Sequence, residues 1–132
     1  MRMWMVRSKR GQLADEFESQ GFVAIWYSAR TDLSKARSES QLRELLAGMQ
    51  MGGNRTVATS VYVRYLFEMQ PGDYVVSYDG STREYLIGTL GEYRYDESAF
   101  EEPSHVRSAT WKGRVSRDDL SQSAKNSLNS LL

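Results

Sequence analysis

The residues able to do chemistry are few and scattered. The chain has 132 residues, one histidine and no cysteine. That excludes disulfides, thiolate metal sites and a cysteine nucleophile. His105 alone cannot build a zinc site without cysteines. Close to Pro103 and beside Val106, it reads as a histidine of a surface loop. Gly52-Gly53 has neither the spacing nor the following lysine of a phosphate-cradling loop. No serine occupies a nucleophile elbow. Asp118-Asp119 and Glu101-Glu102 have the residue types of a general acid and base, but such pairs occur in most soluble chains. An acid followed by acid-x-lysine, the mark of a nuclease strand, has no convincing copy. The chain is therefore read as non-enzymatic, with no catalytic residue, no metal ligand and no cofactor.

Aromatic side chains are the unusual resource. Trp4, Trp26, Tyr27, Tyr62, Tyr65, Tyr74, Tyr78, Tyr85, Tyr93, Tyr95 and Trp111 are too many to be all core. Tyrosine and tryptophan have a polar tip that needs a partner when buried. A pocket walled by such rings suits a flat π-system such as a nucleobase, where stacking contributes about 1–3 kcal/mol per base. Extracting a paired base costs a few kcal/mol, which two walls and an edge hydrogen bond can offset. The same rings would also serve an ordinary core and its rim, and composition alone favours that use. Trp26-Tyr27 sharpens the question. They end the apolar run Phe22-Val23-Ala24-Ile25, and neighbours on a strand point to opposite faces. One of the two closes the core; the other faces a ligand.

Charge bounds the partner. Seventeen basic residues balance seventeen acidic ones, which argues against a sequence-blind binder working mainly by phosphate neutralisation. The distribution is uneven, with Arg2, Arg7, Lys9 and Arg10 at the start. His105, Arg107, Lys112, Arg114 and Arg117 come late, after an acidic patch of Asp96, Glu97, Glu101 and Glu102. Local basic surfaces can still steer a polyanion. No stretch approaches the roughly 18 apolar residues of a membrane span, and the opening apolar segment is too short for a signal peptide. A cytoplasmic protein with no membrane partner is the expectation. The apolar ending Leu131-Leu132 suggests a chain cut from something longer.

The elements that must position these residues follow from periodicity. Met1–Val6 reads as a strand and Gln12–Gln20 as a helix stopped by Gly21. Phe22–Tyr27 is a second strand. Ser38 with Gln41 forms a capping box for a helix carrying Leu42, Leu45, Leu46 and Met49. Thr56–Met69 is another helix, with Val57, Val61, Tyr65 and Leu66 as its stripe. After the turn Gln70-Pro71-Gly72-Asp73, strands are expected at Tyr74–Tyr78, Glu84–Leu90 with Glu92–Tyr95 extending or restarting it, and Arg107–Val115. Ser116 and Ser121 are caps for short closing helices. This order predicts one α+β domain around a mostly antiparallel twisted sheet or partial β-barrel, surrounded by helices.

Several segments together resemble a known family. "MWMVRS" (Met3–Ser8) looks like the opening strand of EVE domains, in the PUA-like superfamily. "WYSAR" (Trp26–Arg30) falls where that family has tryptophan-aspartate-glycine-valine-arginine. "MQPGDYVVSYD" (Met69–Asp79) and "YLIGTLGEYRYD" (Tyr85–Asp96) resemble its later strands. More closely still, "VAIWYSARTDLS", "MQPGDYVVSYDGSTREYLIG" and "WKGRVSRDDLSQSAKNSLNSLL" are similar to the N-terminal domain of Mrr-type, modification-dependent restriction proteins, where it precedes a nuclease domain. Nearly the whole chain is covered, and the order and spacing of the motifs carry the weight. The resemblance implies a single EVE-like reader domain over residues 1–132, the N-terminal part of a longer nuclease. It would recognise a methylated or hydroxymethylated base in double-stranded DNA by flipping it into an aromatic pocket. A nuclease domain in the same or a partner chain would then be targeted there.

Carried over residue by residue, the resemblance implicates Trp26 and Tyr27 as pocket walls with Ser28 beside them. Ser8, Tyr78 and Asp79 line the opposite side, and Asn54 offers an amide to a base edge. The DNA backbone would meet Arg7, Lys9, Arg10, Arg30, Arg55, Lys112 and Arg114. One departure stands out. Mrr-associated domains commonly place glycine then tryptophan where this chain has Trp26-Tyr27, with an acid near Ala29. On that register Tyr27 replaces the cage tryptophan and an acidic contact is lost. A modified-RNA reader of the same fold, and a small-molecule-sensing or protein-interaction domain, are the alternative functions.

Overall fold

A computed structural model describes residues 2–7, 13–25, 31–49, 55–98 and 104–123. The elements run β1 (Met3–Met5), α1 (Ala14–Gln20), β2 (Phe22–Ile25), α2 (Glu39–Ala47), α3 (Arg55–Val63), a π-helical turn (Arg64–Glu68), β3 (Tyr74–Asp79), β4 (Glu84–Asp96), β5 (Ser104–Ser116) and a closing 3-10 turn (Arg117–Asp119). This is the expected α+β order. The helix boundaries follow local chemistry. Gly21 ends α1 in the left-handed region at φ 69°, its N–H reaching the Phe17 carbonyl, a conformation open to glycine without strain. Ser38 caps α2 as expected, its Oγ accepting from the Gln41 N–H at 3.2 Å. The returning bond of the box is displaced by one residue: Gln41 Oε1 accepts from the Arg37 N–H at 2.7 Å.

The helix expected over Thr56–Met69 changes its winding at Arg64. Met69 N–H bonds back five residues to the Arg64 carbonyl at 2.8 Å, a wider turn than the α-helix. The reason lies on β5. The buried guanidinium of Arg107 donates from Nη1 to the carbonyls of Tyr65 and Met69 at 2.8 and 2.9 Å. Its Nε and Nη2 both reach the Gly91 carbonyl, at 2.9 and 2.6 Å. One side chain thus ties the end of the helical segment to the middle of β4.

The five strands form one sheet in the order β1-β3-β4-β5-β2. Among the described residues, the β1–β3 pairing is parallel and the other three are antiparallel. β4 is a single long strand through Gly91, with register shifts between Ile87 and Gly88 and between Leu90 and Tyr93. Gly88 is required for close approach: a Cβ there would lie 2.4 Å from the Thr110 carbonyl oxygen. Phe17, Leu42, Leu46, Val61, Tyr62 and Tyr65 from the helical layer pack with Trp4, Val6, Val75, Leu90 and Val106 from the sheet. β2 is buried along its whole length. A smaller cluster of Met5, Val76 and Tyr85, with Tyr78, Ile87 and Leu120 against it, occupies the other face. No helix among the described residues is long and apolar enough to cross a membrane.

Replacing Arg107 by Met will destabilise the domain by at least about 3 kcal/mol, since each buried acceptor left without a donor costs about 1–3 kcal/mol and three carbonyls are stranded. Urea unfolding of both proteins measures this. A loss under about 1 kcal/mol would mean that water replaces the guanidinium at little cost.

Candidate functional site

β1 and β3 run side by side in the same direction, so their C-terminal ends meet. Val6 N–H bonds the Val76 carbonyl at 2.9 Å, and Ser77 Oγ donates to the Val6 carbonyl at 2.7 Å. These bonds deliver Arg7 beside Tyr78. A hollow of about 340 Å³ opens there, lined by Met5, Arg7, Tyr78, Tyr85 and Arg117. Met5 and Tyr85 are its buried floor, while Tyr78 is half-buried and Arg7 exposed. The two tyrosine rings lie 5.1 Å apart, inclined at 50°. The four-residue connection between Asp79 and Glu84 makes Tyr78 and Tyr85 register partners. The 3-10 turn brings in Arg117, and Ser116 Oγ caps that turn by accepting from the Asp118 N–H. The Arg117 guanidinium lies 5.7 Å from the centre of the Tyr78 ring and donates to the Tyr85 hydroxyl. No carboxylate is among the described residues that line the hollow. An aromatic wall between two cations suits a planar ligand bearing negative charge.

Asp79 and Arg114, expected at the base and at the DNA backbone, are bonded to each other. Arg114 Nη1 meets Asp79 Oδ2 at 2.9 Å and Glu84 Oε1 at 3.2 Å. Its Nη2 meets Glu18 Oε1 at 2.9 Å and Asp15 Oδ1 at 3.7 Å. The cluster joins α1 to the β3–β4 hairpin. Asp79 also accepts from the Ser81 N–H and Oγ at 3.0 and 2.7 Å. Burial alone would push its carboxyl up; the bonds from Arg114, Ser81 and Thr82 outweigh that and hold it at about 2.

The other expected site residues separate. Arg55 donates from Nη1 to the carbonyls of Leu46 and Ala47, and from Nη2 to that of Met49. It closes the C-terminal end of α2. Lys112 is exposed on β5. Ser8, Lys9, Arg10, Trp26, Tyr27, Ser28, Arg30 and Asn54 lie outside the described residues. The strand leading to Trp26 ends at Ile25, opposite His105. Tyr78 is linked through Tyr85 to Val115, ten positions further along β5. The described register therefore joins Arg7 to Tyr78 but does not bring the end of β2 to them.

His105 is not a loop residue. It lies buried on β5 among three tyrosines, with Tyr62 edge-on at 4.9 Å, Tyr95 at 5.1 Å and Tyr93 stacked at 6.0 Å. The Tyr93 hydroxyl is 2.8 Å from Nδ1 and accepts from the Leu33 N–H at 3.3 Å. Trp4, Tyr62, Tyr65 and Tyr85 are likewise buried, the ordinary core use of aromatics. Among the described residues, no three histidine or carboxylate side chains are grouped to hold a metal ion. Met5, Tyr85 and Arg117 were the parts of the hollow missed by sequence reasoning. The symmetric hairpin would have paired Tyr78 with Tyr85.

Residues 2–131 match the model of a family described as a domain of unknown function (DUF8426). No curated protein matches the chain, and no solved structure does.

The Asp79 carboxyl is depressed in the folded state, so its stabilising contribution is present above the unfolded value of about 3.9. It is lost as the pH falls toward about 2. The urea midpoint will therefore drop through that window. Asp79→Asn will flatten part of the drop and lower stability at neutral pH. An unchanged pH profile in this variant would remove Asp79 as a contributor.

Proposed function

We propose that this chain, which belongs to the DUF8426 family, is a DNA-reading module. It takes one modified base from a duplex and directs a nuclease domain, in its own or a partner chain, to that place in the cytoplasm. The finer reading of the sheet as PUA-like belongs to this proposal and rests on the sequence resemblance. The observation that supports it structurally is the hollow beside Tyr78, whose described lining residues are Met5, two tyrosines and two arginines, with no carboxylate among them. Its volume of about 340 Å³ falls at the small end of ligand pockets, which run from about 300 to 1,000 Å³. One planar heterocycle suits it better than a larger ligand.

The extruded base stacks on the Tyr78 ring, with the Arg117 guanidinium beside it. Arg7 meets the adjoining phosphate, and Ser8, next in the chain, reads an edge. Stacking of about 1–3 kcal/mol is comparable with the few kcal/mol of extrusion. A base that already pairs or stacks less well is taken more readily, so specificity does not require a basic protein. Few phosphates are neutralised, and the salt dependence is correspondingly shallow.

The test is a panel of duplexes differing at one base: unmodified, methylated, hydroxymethylated or glucosylated. Binding is followed by fluorescence anisotropy at fixed salt. One modification should bind more tightly than the plain duplex. Tyr78→Ala should reduce that preference by roughly 5- to 150-fold, the equivalent of about 1–3 kcal/mol of stacking, while Tyr78→Phe retains it. Equal binding of every duplex, or no salt-dependent association, overturns the reading. Loss of preference in Trp26→Ala or Tyr27→Ala with Tyr78→Ala unaffected moves the base to the segment after β2 and leaves the function standing.

A further inference from the structure

A second hollow lies away from Tyr78, in the helical layer. It is a groove of about 260 Å³ between α2 and α3, lined by Arg43, Ala47, Arg55, Thr56, Thr59 and Ser60. Two arginines and three hydroxyl-bearing residues line it, with no carboxylate among the described lining residues. We propose that this groove is a phosphate-binding site, taking either a nucleic-acid phosphodiester or a free phosphate monoester.

The geometry supports an oxyanion over other ligands. Arg55 is not a loose surface side chain. Its bonds to the carbonyls of Leu46, Ala47 and Met49 fix the guanidinium plane at the groove wall. A guanidinium has five N–H donors, so a group anchored to carbonyls on one edge can offer donors on another. Fixing it in advance removes much of the ordering penalty on binding. Arg55 is the first described residue of α3, and the carbonyl end of α2 beside it is already met by its guanidinium. Arg43 is the adjustable partner. Its Nε and Nη2 hold Glu39 Oε1 at 3.1 and 2.9 Å, with both side chains more than half exposed. Exposed ion pairs of this kind are weak. A phosphate, with more acceptor oxygens and charge than a carboxylate, can draw Arg43 across. Thr56, Thr59 and Ser60 supply hydroxyl donors from the first turns of α3. Apolar ligands find little here, since among the described lining residues Ala47 alone lacks a polar side-chain group.

The experiment uses the whole chain and backbone amide NMR shifts. Inorganic phosphate, thymidine 5′-monophosphate and a thymidine dinucleotide with one internal diester are titrated against sodium chloride of matched ionic strength. Saturable shifts confined to the groove residues support the site. A response to the dinucleotide identifies nucleic-acid backbone as the source; a response to the two monoanionic or dianionic phosphates alone identifies a phosphorylated small molecule. Arg43→Gln should weaken binding about three- to tenfold, as loss of a charge-assisted contact does. Glu39→Gln should tighten it, because Arg43 loses its competitor. Both substitutions are at exposed positions and will leave the fold intact. Shifts equal to those from chloride, or affinities unchanged in both variants, overturn the proposal. Tyr78→Ala should not alter the groove shifts, so failure here and failure of the base-reading hollow are separately visible.

Discussion

Arg107 sets the relation between the two layers. A buried guanidinium needs an acceptor-rich environment that takes up its N–H donors, because leaving its charge unbonded would cost far more than any packing gain. In this fold the partners are carbonyls from two different elements. The helical segment widens into a π turn where two of these carbonyls are presented, and β4 shifts register where the third is. Two irregularities that weaken their own elements are thus satisfied by one side chain. The arrangement also fixes how the helices lie over β5, and with them α2 and α3.

A second buried polar group performs the same task at the other edge of the sheet. The Asp73 carboxylate accepts from Trp4 Nε1 and the Gln70 N–H, both at 3.0 Å, and from the Arg2 N–H at 3.2 Å. Burial raises its carboxyl, but these bonds leave it below the usual range. The short β1 has only three residues and would have little reason to hold its register alone. Asp73 binds the residues around it to the turn before β3, and Arg7 arrives next to Tyr78 in consequence. Position at the hollow is therefore set by a carboxylate several residues away from it.

The contrast between what the sequence made legible and what it hid follows from these groups. Element order could be read because it depends on local signals: Gly21 as a stop, Ser38 as a cap, and the alternation in β3. The candidate site was only partly readable. Tyr78 was expected at the base and Arg7 at the DNA backbone, both on the resemblance; it is the parallel pairing of β1 with β3 that sets them at one hollow. Arg107 and Arg114 were placed among surface charges because nothing local distinguishes an arginine bonded to carbonyls from a solvated one. His105 was read as a loop residue for the same reason: Pro103 close by suggested a loop, but its partners in space, Tyr62 and Tyr93, come from α3 and β4. Burial of a polar side chain is decided by distant residues that supply its hydrogen bonds.

This division bears on how a chain of zero net charge can offer anion sites. Net charge counts every arginine alike, whereas the fold separates them. Arg107 is engaged internally, Arg114 faces four carboxylates and Arg83 is paired with Asp118 at 2.6 Å. Their charges add little to the outer field. Among the described residues, Arg7 and Arg117 share a hollow that no acid lines, and Arg43, held only by the exposed Glu39, shares another with Arg55. Asp15, Glu18, Asp79, Glu84 and Asp118 are drawn to Arg114 and Arg83 and away from the hollows. A neutral protein can in this way hold locally positive hollows, with potential at those points set by arrangement and not by the total.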